Sequence, residues 1–332
     1  MRIPIKYTII KTLAATFLLA SASCRPSAPY RHAEGAIWNT VYHMTFDGDE
    51  SLADSIRPVL ERVGRSLSVF DPESLVSRLN ASDSCKADSM LKDIYSLSAR
   101  IHRQSGGMFD PTLSPLITAW GFGKGHKPTA DTLRIDSLLA LTGMGHTYIK
   151  DDVIHKDNRS ISFNFSAIAK GYGCDAAAEM LKRNGVENFL VEIGGEIRCS
   201  GVNSKGRKWN ISIDRPLKDL HGTRHASQEV ITVSGCGVAT SGNYRNFHNG
   251  TDGHSFGHTI DPFTGRPAKT DILSATVVAP TAAEADAYAT ACMAMGAGKA
   301  KEMLNRLDLP ALLILEDFST WASPEFKNLT EK

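Results

Sequence analysis

Glu284-Ala-Asp-Ala-Tyr-Ala-Thr290, continued by Ala-Cys-Met-Ala-Met-Gly296, is an Ala-rich run that ends at a glycine. Such a run reads as an α-helix, and it sets Asp286 and Thr290 four residues apart, so their oxygens share one face about one turn apart. A carboxylate and a hydroxyl in that relation suit a hard cation such as Mg2+. Upstream, His258-Thr-Ile-Asp-Pro-Phe-Thr-Gly-Arg-Pro267 puts a possible acid–base group beside a turn. Singly, each residue has a plainer reading. An acid in a first helical turn is favourable with no metal, a helical Thr can bond back to a carbonyl, and a turn histidine can serve as a hydrogen-bonding residue. Their joint appearance carries the argument.

Working outward, Trp38 to Phe46 alternates like a strand, and Leu52 to Leu67 has helical periodicity ending before Phe70-Asp-Pro72. A helix is expected over Ser89 to Gln104, closed by Gly106-Gly107, with the loop Met108 to Thr112 leading into Leu113 to Phe122. Val153 to Phe165 reads as a short hairpin and Ala167 to Asn184 as a helix capped by Gly185. Strands follow at Asn188 to Ile193, Ile197 to Gly201, Lys208 to Ile213 and Gln228 to Ser234, then Ser274 to Ala279 and Ala311 to Leu315. Helices at Glu284 to Met295 and Lys299 to Leu307 lie between the last two. This irregular order lacks steady βαβ alternation, so the expected class is α+β, with mixed or antiparallel sheets flanked by helices.

The N-terminus has a secretory pattern: Arg2, Lys6 and Lys11 precede the apolar run Leu13 to Ala20 and Ser21-Ala-Ser-Cys24. Cleavage before Cys24 would leave a lipidated cysteine, with residues 1–23 as leader, 24–34 as a polar tether and 35–332 as the folded domain. The expected location is therefore outside the cytoplasm, facing the periplasm and held to the membrane by lipid. Losing the leader takes the formal net charge from +1 to −2, which argues against nucleic acid as a partner. The remaining chain suffices for one large domain or two intimately joined lobes. Cys85, Cys174, Cys199, Cys236 and Cys292 show no CxxC and no zinc spacing; an odd number leaves at least one thiol unpaired, and the spacing does not pair the other four.

Asn164 to Tyr172 runs from a strand end into a helix start, where free N–H groups and the helix dipole favour an anion such as a pyrophosphate, with Lys170 adding charge. An equally direct reading makes Asn164 or Ser166 a helix cap and Lys170 a surface residue. Gly194-Gly195-Glu196 and Ser241-Gly242-Asn243 stand just past strand-like runs, where glycine lets a backbone approach a ligand, though each taken alone reads first as an ordinary tight turn. Neither the dinucleotide nor the P-loop fingerprint is present.

Eight segments in order, NTVYHMTF (39–46), SLSVFDPESLVSRLN (66–80), GGMFDPTLSPLITAWGFG (106–123), NFSAIAKGYGCDAAAEML (164–181), FLVEIGGEIRCSG (189–201), GVATSGNYRNF (237–247), HTIDPFTGRP (258–267) and APTAAEADAYATACMAMG (279–296), together resemble the ApbE family of FAD:protein FMN transferases. The resemblance implies an ApbE-like fold with FAD in a cleft between two lobes. It also implies a Mg2+-dependent reaction that splits FAD, moves FMN onto a Ser or Thr hydroxyl of an exported redox-complex subunit and releases AMP. By the same likeness the Ala167 carbonyl, Asp286 and Thr290 would hold the metal, and Trp38, Phe70, Met108, Phe109, Asp110, Asn164, Lys170 and Ile260 would contact FAD. His258 would activate the acceptor hydroxyl. Water in place of the protein acceptor would make the same site an FAD pyrophosphatase, and loss of the chemistry would leave an FAD-binding lipoprotein.

Three positions depart from the family pattern. Trp38-Asn39-Thr40 stands where Met-Gly-Thr is frequent, Phe70 where Tyr is common, and Asn164 where Asp is usual. Phe70 keeps a stacking surface without the hydroxyl, and Asn164 keeps hydrogen-bonding capacity without the charge.

Overall fold

In the computed structural model, residues 29–122, 132–216, 227–242, 247–249, 255–257 and 259–330 are described. The chain opens with β1 (Tyr30–Ile37) and β2 (Thr40–Asp47), paired from Tyr30↔Asp47 to Ile37↔Thr40. Trp38 and Asn39 close this hairpin with φ of 49° and 61°, the left-handed pair that a two-residue turn requires. The polar segment expected to be a tether through residue 34 is therefore strand from Tyr30 onward. Its backbone is committed to the β2 ladder, and that pairing decides its conformation over its polar composition.

Next come α1 (Leu52–Leu67), α2 (Leu75–Asn80), β3 (Ser84–Lys86), α3 (Ser89–Gln104), α4 (Ser114–Ala119), α5 (Thr132–Leu139), β4 (Thr147–Lys150) and β5 (Val153–Lys156). The hairpin expected over 153–165 is instead β4–β5, turned by Asp151 and Asp152 at φ 50° and 62°. Two left-handed aspartates supply the turn, while Ile161, Phe163 and Phe165 are core residues outside any strand.

The second half holds α6 (Ser166–Arg183), β6 (Phe189–Ile193), β7 (Glu196–Ser200), β8 (Trp209–Asp214), β9 (Ser227–Val233), β10 (Cys236–Gly242), β11 (Phe247–Asn249) and β12 (Ser255–Gly257). It closes with β13 (Ile272–Ala279), α7 (Ala282–Arg306), β14 (Ala311–Leu315), β15 (Thr320–Ala322) and α8 (Pro324–Lys327). At Gly296 (φ 75°, ψ 167°) α7 breaks into two helical halves, and Asp271 Oδ1 accepts the Ala297 N–H at 2.8 Å to restart it. The two expected helices thus exist, joined end to end.

Eight strands form one sheet in the order β1-β2-β6-β7-β10-β13-β14-β15, with every neighbouring pair antiparallel. Its central strands are covered on both faces. Ala275, Val277, Ala239 and Leu313 pack with the α7 side, whereas Val278, Val238 and Leu312 pack with Trp209, Ile211 and Ile231 of the β8–β9 hairpin. Because strand side chains alternate faces, a strand buried on both sides reads as an unbroken apolar run, as β13 (ILSATVVA) does. Among the described residues no helix is long and apolar enough to cross a membrane.

The N-terminus of α7 lies wedged between α6 and β10. A Cβ on Gly171 would sit 2.3 Å from the Ala282 carbonyl oxygen, and one on Gly237 would sit 2.2 Å from the Ala282 nitrogen. Neither contact leaves room for a methyl group. Gly171→Ala and Gly237→Ala are each expected to lower folding stability by about 3 kcal/mol, measured by denaturant titration. Gly298→Ala, exposed in the second half of α7 with open space around it, should be neutral or stabilising by up to about 1 kcal/mol.

Candidate active site

Where the strand ends of the sheet meet α6 and α7, the surface opens into a cleft of about 780 Å³. Its walls come from separate parts of the chain: the loop Met108–Pro111 and the start of α6, the β6–β7 turn at Gly194 and Glu196, Thr240 to Gly242 of β10, and Asp286, Thr290 and Ala294 of α7. Leu113, Ile117, Phe122 and Ile260 supply an apolar side, and Phe70, 55% exposed, stands at the edge.

The helix that carries Asp286 is held firmly at its start. Thr281 Oγ1 accepts the Glu284 N–H at 3.2 Å, and Glu284 Oε2 accepts the Thr281 N–H at 3.3 Å, a reciprocal capping box. The Asp175 carboxylate of α6 accepts the next two free donors, the N–H groups of Ala282 at 3.0 Å and Ala283 at 2.9 Å. Arg198 Nε lies 3.4 Å from the same carboxylate. Burial outweighs these bonds and pushes the Asp175 carboxyl up to about 6.

One turn further along, Asp286 is buried at 4% exposure, and its Oδ2 accepts the Gly171 N–H at 3.2 Å. Ala167, one turn before Gly171 in α6, also lines the cleft. Lys170 forms an ion pair with Glu196 Oε1. Burial alone would lower its ammonium, but Asp286 and Glu196 together hold it above its ordinary value. Burial, with Asp286 nearby, raises Glu196 to about 8, and burial likewise raises Asp286 against the pull of Lys170. Glu196 Oε2 is buried and has no hydrogen-bond partner among the described residues. Among the described residues one cation thus serves two buried carboxylates, an arrangement that retains unsatisfied negative potential.

Further along the same face, Thr290 Oγ1 lies 3.3 Å from Ser241 Oγ. Ala167, Asp286 and Thr290 all border one cleft, and a backbone carbonyl, a carboxylate and a hydroxyl are hard oxygen donors of the kind Mg2+ prefers. Among the described residues no group of three or more His, Cys, Asp or Glu side chains is placed to hold a metal.

The loop between α3 and α4 is built to keep its shape. Asp110 accepts from the Thr112 N–H at 2.8 Å and the Thr112 hydroxyl at 2.6 Å, while burial raises its carboxyl. His102 Nδ1 meets the Phe109 carbonyl at 2.9 Å. The Asn164 N–H donates to the Pro111 carbonyl at 2.7 Å, and Asn164 Oδ1 accepts the Ser166 N–H at 2.9 Å. Asn164 therefore shapes the start of α6 and ties the loop to it. In the same apolar cluster as Leu113, Ile260 bridges to Pro267, and Trp120 Nε1 donates to the Gly265 carbonyl at 2.8 Å.

Of the residues expected at the site, Phe70, Met108, Phe109, Asp110, Asn164, Ala167, Lys170, Ile260, Asp286 and Thr290 all line this cleft. Trp38 does not. Its ring packs between α1 and α6, close enough that a Cβ on Gly64 would lie 2.9 Å from Nε1 and one on Gly173 would lie 2.6 Å from Cη2. At the left-handed hairpin turn the indole is partly buried against the hydrophobic core. His258 and Cys24 lie outside the described residues. Sequence reading missed Glu196 as a charge partner of Lys170, and it missed Ser241 beside Thr290. The glycines flanking both had signalled a tight turn or a close backbone approach to a ligand, not these side-chain roles.

Comparisons with known proteins bear on the whole chain. A sequence model of the ApbE family matches residues 38–313. The FAD:protein FMN transferase of Escherichia coli strain K12 is 32% identical, the alignment covering 98% of this chain and 97% of the relative. Its counterpart from Vibrio cholerae serotype O1 is 33% identical over 96% of this chain and 98% of its own length. Among solved structures, the flavin transferase ApbE from Vibrio cholerae superposes with a TM-score of 0.82 at 32% identity, covering 91% of this chain and 99% of the other. The Pseudomonas stutzeri flavinyl transferase ApbE in its apo form gives 0.82 at 28% identity, over 92% and 98%. The chain belongs to the ApbE family.

The raised Asp175 carboxyl sets a sign for the pH dependence of stability. Its proton is held more tightly in the folded chain, so its stabilising contribution is complete below about pH 4, the unfolded value, and is lost as pH rises through about 6. The stability advantage of the wild type over Asp175→Asn should therefore narrow between about pH 4 and 7, as followed by denaturant titration at several pH values.

Proposed function

We propose that this member of the ApbE family is a Mg2+-dependent flavin transferase that cleaves FAD and joins FMN through a phosphoester to a Ser or Thr of an acceptor protein, releasing AMP. One observation carries the reading: oxygen donors, a cation and an apolar wall share a single cleft. The Ala167 carbonyl, Asp286, Thr290 and Lys170 border the part suited to a pyrophosphate, while Phe70, Met108, Phe109 and Ile260 offer surface to a flavin ring. Ala167, Asp286 and Thr290 are the residues that would hold Mg2+, and the bound ion would offset charge on the phosphates.

The work of the chain's own groups follows from their positions. Lys170 favours an anionic substrate while its ion pair with Glu196 keeps the ammonium in place. The Met108–Asp110 loop, locked by Thr112 and Asn164, presents a fixed surface and does not need ordering on binding. His258 takes the proton of the acceptor hydroxyl as that oxygen attacks the FMN phosphorus; the pyrophosphate P–O bond breaks and AMP leaves with the bridging oxygen. The acceptor is an exported subunit of a redox complex, and the enzyme is held at the membrane, facing the periplasm, through lipid on Cys24.

Incubating residues 25–332 with FAD, Mg2+ and a candidate acceptor should raise the acceptor's intact mass by FMN less one water, and EDTA should prevent the gain. Release of FMN and AMP with no mass gain would assign a hydrolase instead. Asp286→Ala should abolish transfer at moderate Mg2+ while keeping a cooperative unfolding transition, and wild-type turnover in that variant would refute the metal assignment. For His258→Ala, FAD should still bind in a fluorescence titration while transfer falls by roughly 100-fold or more.

A further inference from the structure

Cys199 in β7 and Cys236 in β10 stand directly opposite each other in the antiparallel ladder. Directly opposed residues have Cα atoms about 4.5–5.5 Å apart, which lies inside the window a disulfide needs. Opposed side chains also share one face of the sheet, and both cysteines belong to the cluster under the β8–β9 hairpin. Cys199 Sγ lies 3.7 Å from the Cys236 carbonyl oxygen, so the thiol reaches across to its partner strand. Both are free thiols here, and their exposure differs: Cys199 is fully buried, whereas Cys236 is partly open to solvent.

We propose that Cys199 and Cys236 are a redox pair that closes to a cross-strand disulfide by exchange with an oxidised disulfide of a small molecule or protein. The Cys236 thiolate attacks the incoming disulfide, forms a mixed disulfide and expels one thiolate. The Cys199 sulfur then displaces the second thiol from Cys236 and loses its own proton. Two protein thiols are oxidised by two electrons, and one external disulfide is reduced to two thiols.

Accessibility and charge agree on which sulfur acts first. The hydrogen bond from Cys199, followed by the nearby Arg198 and Lys208 cations, holds the Cys236 thiol below its ordinary value, while the same contact and burial push Cys199 up. The pair also occupies a consequential place. β7 begins at Glu196 and β10 ends in Thr240, Ser241 and Gly242, so the bond would staple together two strands whose ends line the cleft. Cys85, Cys174 and Cys292 lie in other clusters and have no such register partner.

The test treats the folded, reduced protein with oxidised glutathione. Intact mass should fall by two hydrogens, a proteolytic fragment should link Cys199 to Cys236, and the melting temperature should rise by about 5 °C and return on reduction. Cys236→Ser, at a partly exposed position, should keep the reduced fold and lose both the link and the rise. Cys199→Ser should instead stop at a glutathione adduct on Cys236. A wild-type adduct on Cys236 that never closes, a link from either residue to a third cysteine, or thiols that stay reduced until the chain unfolds would each overturn the pairing.

Discussion

The close seating of the first turn of α7 between Gly171 and Gly237 is the constraint on which the rest of the site depends. With no side chain on either glycine, the backbone at Ala282 lies against both α6 and β10. That approach brings the Asp175 carboxylate onto the free N–H groups of Ala282 and Ala283, and it carries Asp286 to the Gly171 N–H one turn later. A helix start has four donors to satisfy, and here a neighbouring helix and the capping box meet that need together. The site is therefore placed by a packing contact, and its precision derives from backbone geometry more than from side-chain choice.

Electrostatics follow from that seating. Burying Asp286 and Glu196 near one ammonium costs desolvation energy that Lys170 only partly offsets, which is why both carboxyls are raised while the ammonium is stabilised. Such a cluster is poised for a second positive charge. The adjoining hydroxyl of Thr290 and carbonyl of Ala167 are neutral oxygens, so a hard cation would meet a favourable potential without a crowd of acids. Asp110, by contrast, spends its bonds on Thr112 and serves to keep the neighbouring loop in shape.

Much of this was legible in the chain. Periodicity located Leu52–Leu67, Ser89–Gln104 and Ala311–Leu315, because each buries one stripe or both faces and terminates at clear signals. The i,i+4 relation of Asp286 and Thr290 survives folding because a single helix carries both. The strand at Tyr30–Ile37 was hidden, since its alternation is weak and only pairing with β2 reveals it. The packing of Trp38 was hidden for a related reason: at the tip of a left-handed turn its direction is set by the backbone, which aims it at Gly64 and Gly173.

The sequence by itself determined the α+β class, the order of most elements, the family and ten of the residues that line the cleft, because these are recorded in local spacing and in segments that keep their order. Only the tertiary structure decided which groups became partners. Lys170 and Glu196 are joined by an ion pair, Asp175 reaches the start of α7, and Cys199 faces Cys236, although these residues are far apart along the chain. Those pairings arise from strand register and helix packing. A strand register shifted by one residue would have turned every one of its side chains to the other face, and no local pattern carries that information.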